Sequence, residues 1–194
     1  SYKFQGGDAI YEDINHDGQI NSLDIVYLGN SNPKMSGGFG VSFFYGNWSL
    51  KTSFTYRSGI KIVNSAKMGL EEMFNAYNQS SAVNWRWRKN GDVTTIPRAM
   101  YDTGYNWLGS DRYVEDASFI RMSYVQLVYN FNRKVIQKLG LNRLQFSVSG
   151  QNLLVFSKYS GTDPEHSAGA WGIAYDNSQT PRSKSVTANF IIGF

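Results

Sequence analysis

Five stretches of the chain alternate apolar and polar residues with a period of two, the pattern of strands greasy on one face and wet on the other. The first, at about 37–45, sets Phe39, Val41, Phe43 and Tyr45 against Gly38, Gly40, Ser42 and Phe44. After a tight Gly46-Asn47 reversal, the second, at about 48–57, returns through Trp48, Leu50, Thr52, Phe54 and Tyr56, opposed by Ser49, Lys51, Ser53, Thr55 and Arg57. The third, at about 117–131, alternates clearly only in its second half, where Val125, Leu127, Tyr129 and Phe131 oppose Gln126 and Asn130; between Phe119 and Tyr124 the register is ambiguous. The fourth, at about 143–156, opposes Leu144, Phe146 and Val148 to Gln145, Ser147 and Ser149, and the last, at about 185–194, presents Val186, Ala188, Phe190, Ile192 and Phe194.

The connections have two lengths. Gly46-Asn47 and 132–142 are short, whereas 60–116 and 158–184 are long, and a long polar segment precedes the first strand. Short turns at one end of the strands and long loops at the other are the asymmetry of bacterial outer-membrane barrels. A soluble sandwich spaces its turn signals more evenly, about every 8 to 12 residues. Tyr45, Trp48, Tyr56, Tyr129, Phe131 and Phe156 fall near strand ends, where amphipathic rings favour the headgroup region, although rings so placed also suit a sandwich core. Five strands cannot close a barrel, which needs an even count of about eight or more, and an open edge cannot sit in hydrocarbon with its amides unpaired. The expectation is therefore an all-β chain whose five antiparallel strands are completed by strands from elsewhere.

Composition narrows the function. Of 194 residues, 41% are hydrophobic and 15% aromatic, which excludes disorder, and no window reaches the roughly 18 consecutive apolar residues of a transmembrane helix. The formal charge of +4 is scattered without a basic run, so nucleic acid is not an expected partner. Without cysteine there are no disulfides, thiolate metal sites or cysteine nucleophiles. The chain opens Ser1-Tyr2-Lys3-Phe4 with neither an initiator Met nor a signal peptide, as a processed or cut chain does.

The sharpest local pattern is Asp13-Ile14-Asn15-His16-Asp17-Gly18-Gln19-Ile20-Asn21-Ser22-Leu23-Asp24. Asp13, Asn15, Asp17, Asn21 and Asp24 place oxygens where an EF-hand loop has them, Gly18 takes the sharp turn, and Gln19 would contribute its backbone carbonyl. Calcium as a structural ion is one reading, weakened by Asp24 standing where the longer Glu is usual; an acidic loop tied by its own Asx turns is the other. Ser65 to Gln79 reads as a short helix begun by Ser65, with Leu70, Met73, Phe74 and Tyr77 on one stripe. Trp85, Trp87, Trp107, Tyr159 and Trp171, all in the long loops, suit either stacking platforms for sugars or peptides or packing of the loops on themselves. The only histidines are His16, inside the acidic loop, and His166, with no nucleophile elbow or metal-binding His pair near either, so an enzyme is not expected.

In order along the chain, Gly7-Asp8, Tyr11-Glu12-Asp13-Ile14-Asn15-His16-Asp17-Gly18, Gly29-Asn30, Pro33-Lys34, Ser118-Phe119-Ile120-Arg121, Ser149-Gly150-Gln151-Asn152-Leu153 and Tyr159-Ser160-Gly161-Thr162-Asp163-Pro164-Glu165 resemble the C-terminal part of SusC/RagA-type TonB-dependent outer-membrane transporters of Bacteroidetes. The terminal Phe194 on an alternating strand resembles the assembly signal of such barrels. The resemblance implies residues 1–35 as an extracellular loop bearing the calcium-like site and 36–194 as the last five strands of a barrel of about 22. It also implies an N-terminal plug and the other strands of the same transporter, outer-membrane lipid around it, a SusD-like surface lipoprotein over its mouth, TonB acting on the plug, and oligosaccharides or peptides as cargo. A secreted or surface β-domain, stabilised by calcium and binding glycan or protein, stays open as the alternative.

Overall fold

A computed structural model describes residues 3–165 and 174–194 of the chain. The residues group into two compact units, one made of 1–31, 61–115 and 166–179, the other of 32–60, 116–165 and 180–194.

The second unit is built on one sheet. β1 (Met35–Tyr45), β2 (Trp48–Ser58), β5 (Phe119–Asn130), β6 (Arg143–Ser157) and β7 (Ser185–Gly193) lie side by side in the order β1-β2-β5-β6-β7, every neighbour antiparallel. Tyr45 faces Trp48 across the two-residue turn, and a short helix, α2 (Arg133–Lys138), capped by Asn132, joins β5 to β6 at the same end. Among the described residues, β1 and β7 each pair on one side only, so both outer edges of the sheet are open.

The pairing registers sort the side chains. Tyr45, Trp48, Tyr129, Phe146 and Phe190 lie in one cross-strand row and Phe43, Leu50, Leu127, Val148 and Ala188 in the next. Ser42, Lys51, Gln126, Ser149 and Thr187 form a row on the opposite face. Rings touch along the apolar rows, with Trp48 and Tyr129 centroids 4.6 Å apart and Phe146 and Phe190 also 4.6 Å apart. Nevertheless that face is bare: Phe43 and Phe190 are each 63% exposed. The buried apolar residues of this unit, Ile60, Ala117, Phe119, Val128 and Tyr159, all lie off it.

A bulge accounts for the ambiguous half of β5. The pairing shifts between Met122 and Tyr124, so Ser123 is an extra residue opposite β2, while Asn152 and Leu153 together oppose Ser123, one extra residue on β6. Ile120 and Met122 thereby join the face of Val125 and Leu127, while Phe119 and Arg121 share the face of Thr55 and Arg57. Ser123 points to the polar face as well, its hydroxyl 2.9 Å from that of Thr55.

The first unit holds a core of long-loop residues. β3 (Lys61–Val63) pairs with β4 (Val114–Asp116), and α1 (Ser65–Glu71) follows β3. The helix expected over 65–79 stops at Glu71, and its cap is Asn64, whose Oδ1 accepts from the Lys67 amide at 2.9 Å. Met73 then takes φ +50°, which no helix continues, and of the expected stripe only Met73 is buried, against Val83 and Ile96.

Candidate functional site

In the first unit the acidic loop closes on itself. Asp13 accepts from the amides of Asp17 (3.2 Å) and Gly18 (2.7 Å), and Asp17 from that of Gln19 (2.8 Å). Asn15 Oδ1 also accepts from the Asp17 amide at 3.1 Å, and its Nδ2 donates to Asp17 at 3.0 Å. Asp24 and Asn21 form a reciprocal cap: Asn21 Oδ1 accepts from Leu23 N (2.8 Å), while Asp24 accepts from Asn21 N (2.7 Å) and Ile14 N (2.9 Å). The amide of Asn21, with those of Ile14 and Asn15, holds the Asp24 carboxyl below its ordinary range. Gly18 takes φ +80° at the sharp turn, as the pattern requires. The donors are hard oxygens of the kind calcium takes, but the carboxylates are committed to backbone amides, and among the described residues no three His, Cys, Asp or Glu side chains converge in ligating geometry.

Beside this loop is a cavity of about 1030 Å³, its wall including Ile10, Ile14, Ile25, Trp87, Asp111 and Arg112. Trp87 reaches it because residue 7 is glycine: a Cβ there would lie 2.3 Å from the indole, and Gly7 takes φ +86°. Asp8, next in sequence, is clamped to Arg98 (Nε to Oδ1, 2.6 Å), and Arg98 N donates to Gly7 O at 2.7 Å. Tyr11 donates to Tyr105 O at 2.7 Å; burial, with Tyr113 nearby, pushes its phenol up to about 12, and burial raises Tyr113 as well. Tyr11 thus lines the cavity as a neutral phenol, beside the charged Asp111 and Arg112.

The structure separates the aromatic candidates. Of those among the described residues, Trp87 alone lines the cavity; Trp85 is 79% exposed, and Trp107 packs on Phe74 at 5.4 Å and donates to Gly104 O at 3.0 Å. Tyr159 is buried in the other unit, folded over Gly161. Trp171 and His166 lie outside the described residues.

On the polar face of the sheet, at the long-loop end, is a charged cluster that period-two reading does not find. Arg121 is 4% exposed; its Nη2 donates to Asp163 Oδ1 at 2.5 Å, and its Nε lies 3.3 Å from Glu165 Oε2 without hydrogen-bond alignment. Arg182 donates to Glu165 Oε1 at 2.8 Å, and Arg57 approaches the same oxygen at 3.8 Å. Burial raises the Asp163 carboxyl, but the amides of Glu165 (2.9 Å) and Arg182 (3.1 Å), together with Arg121, outweigh it and hold it below the usual range. The sequence signal is present in pieces: Arg57 and Arg121 sit on polar-face positions, and Asp163-Pro164-Glu165 is a distinctive triplet, but 42 residues separate Arg121 from Asp163.

No protein-family model matches the chain. Among characterised proteins it is similar to TonB-dependent receptor P39 of Formosa agariphila, 32% identical over 166 residues, which is 83% of this chain and 16% of that protein. TonB-dependent receptors P3 and P26 of the same organism are each 29% identical, over 82% and 97% of this chain. The chain spans 16%, 15% and 20% of the length of these three relatives. Among solved structures it superposes on the RagAB peptide transporter with a TM-score of 0.75 at 22% identity, over 91% of this chain and 19% of that one. The RagAB peptide importer in its closed-closed state gives 0.71 at 21%, over 92% of this chain and 20% of that one. At that identity the solved structures speak for the fold.

Proposed function

The chain belongs to the TonB-dependent receptor family and resides in the outer membrane, and we propose that it forms part of the barrel wall of a nutrient importer. The observation that carries this reading is the sheet: an apolar face left bare across five strands, a polar face opposite, and two unpaired edges. A water-soluble domain would leave this apolar face and both edges exposed to solvent, whereas lipid covers the face and neighbouring strands satisfy the edges. The five strands are then the C-terminal staves of a barrel of about 22, with the polar face toward a wet lumen and the long loops outside the cell. The rest of the same transporter supplies the other strands and the plug. Oligosaccharides or peptides are the cargo, a SusD-like lipoprotein closes the mouth, and TonB acts through the plug. Similarity to a protein described as a peptide transporter favours peptides without deciding against glycans.

The test is the full-length receptor in cells. It is expected in the outer-membrane fraction, with slower gel mobility after boiling. A detergent-free, soluble, monodisperse protein would overturn the reading in favour of a secreted β-domain binding glycan or protein.

For the 13–24 loop we propose calcium as a stabilising ion, supported by the oxygen spacing and the turn at Gly18. Binding would draw Asp13, Asp17 and Asp24 away from the amides they now hold. Calcium is expected to protect the loop from protease, and Asp13→Ala and Asp17→Ala to abolish that protection; equal cleavage in calcium and in chelator rejects the ion.

A further inference from the structure

The charged cluster on the polar face of the sheet is larger than its structural duty requires. Arg57, Arg121 and Arg182 line one cavity of about 310 Å³ together with Glu165. Three guanidinium groups meet two carboxylates, Asp163 and Glu165, which leaves one positive charge in excess. Asp163 is fully engaged by Arg121 and two amides, and Glu165 is shared among all three arginines. Arg57 lines this cavity, its side chain 36% exposed; at 3.8 Å from Glu165 it is beyond hydrogen-bond range, and among the described residues no acceptor takes up its donors. Arg121 Nε is buried with no aligned acceptor.

We propose that this cluster is a carboxylate-recognition subsite on the lumenal wall, in which Arg57 and Arg182 grip a carboxylate of the cargo while Arg121, Asp163 and Glu165 hold the two in place. The proposal rests on the transporter reading above. A guanidinium presents a planar fork that matches a carboxylate in two parallel hydrogen bonds, and a confined cavity with surplus positive charge concentrates its field on an entering anion. The amides of Glu165 and Arg182, with Arg121, outweigh burial and hold the Asp163 carboxyl below its ordinary range, so it is ionised at neutral pH. The cavity has the volume of a single end group, so the site reads one carboxylate: the C-terminus or an acidic side chain of a peptide, or a uronate ring of a glycan.

The experiment uses the full-length receptor in detergent and reads affinity for paired probes: penta-alanine with a free and with an amidated C-terminus, and trigalacturonate with its methyl ester. In one arm or both, the free acid is expected to bind about tenfold or more tightly than its neutral partner. Arg57→Gln combined with Arg182→Gln should bring the ratio of acid to neutral affinity to within about twofold. The peptide arm and the glycan arm identify the source of the carboxylate. Equal affinity for acid and neutral forms in both arms, or a preference that survives the double variant, overturns the subsite. Membrane fractionation and heat-modifiable mobility of the same preparations report on the barrel: if both are kept while the preference is absent, the subsite alone fails, and if both are lost, the transporter reading fails with it.

Discussion

Deleting Ser123 and Tyr124 together tests how the wall keeps its two faces apart. Ser123 is the extra residue of β5 opposite β2, and Met122 and Tyr124 on either side of it already pair with the adjacent Phe54 and Ser53, so its loss alone makes the strand regular and leaves every face as it is. Removing Tyr124 as well sets Met122 beside Val125, and Phe119 and Arg121 turn to the apolar face, Ile120 and Met122 to the polar one. Arg121, 4% exposed and 2.5 Å from Asp163, then leaves two carboxylates behind. Breaking a buried pair from one side costs about 3–5 kcal/mol. An arginine on the lipid face adds about 2–4 kcal/mol at the midplane and about 0–1 near the interface; Arg121 lies near the end of its strand, so the smaller value applies. The sum is roughly 3–6 kcal/mol. The control is deletion of Ser123 alone, which loses one hydroxyl contact to Thr55, about 1 kcal/mol. Denaturant unfolding of the receptor in micelles, read as the heat-modifiable band, separates the two. A double-deletion variant with a midpoint matching that of the single deletion would refute the parity argument.

Three further outcomes follow from the same geometry. Val125→Arg, on the apolar face at mid-strand, should cost about 2–4 kcal/mol in the same assay, while Gln126→Arg, one residue on and facing the other way, should stay within about 0.5 kcal/mol of wild type; similar losses would contradict the face assignment. Asp163→Asn should speed hydrogen exchange at the amides of Glu165 and Arg182 by weakening the loop by about 2–3 kcal/mol. Because the folded carboxyl lies below its ordinary value, its contribution in the wild type is complete above about pH 3.9 and lost as pH falls through the depressed value, whereas the Asn variant should show no such acid step; a matching acid step in both would remove Asp163 from the account. Gly7→Ala should cost about 1–3 kcal/mol, since it combines φ +86° with a Cβ 2.3 Å from the Trp87 ring, and unaltered tryptophan emission and protease resistance would show that the ring does not depend on residue 7.

What the chain discloses as a sequence depends on how local the determining contact is. β1, β2, β6 and β7 alternate along their own length, because each residue is sorted by which face it points to and no distant partner is needed. β5 breaks this rule for one residue, and that is enough to blur its first half: a bulge moves the parity while leaving composition unchanged. At α1, Asn64 and Ser65 are both good caps, and only the geometry decides for Asn64. The helix also stops short of its apolar stripe, since Met73 follows the stripe in spacing and leaves the helix in dihedral angle.

The loop chemistry was less legible because its partners come from far along the chain. Trp87 is drawn to the cavity by a glycine 80 residues earlier, whereas Trp85, two residues away and identical in chemistry, points outward. The arginine cluster joins two strand positions to a triplet and a residue of the last long loop, and only the triplet is distinctive alone. A polar-face arginine in a membrane strand has two ways to avoid an unsatisfied charge: water in the lumen, or a carboxylate brought by a loop. Arg121 has taken the second, and its burial is the sign of it; Arg57, two residues along the neighbouring strand from the Thr55 that faces Arg121, keeps enough exposure for the first. That difference between two residues with the same alternation signature is what the proposed carboxylate subsite rests on.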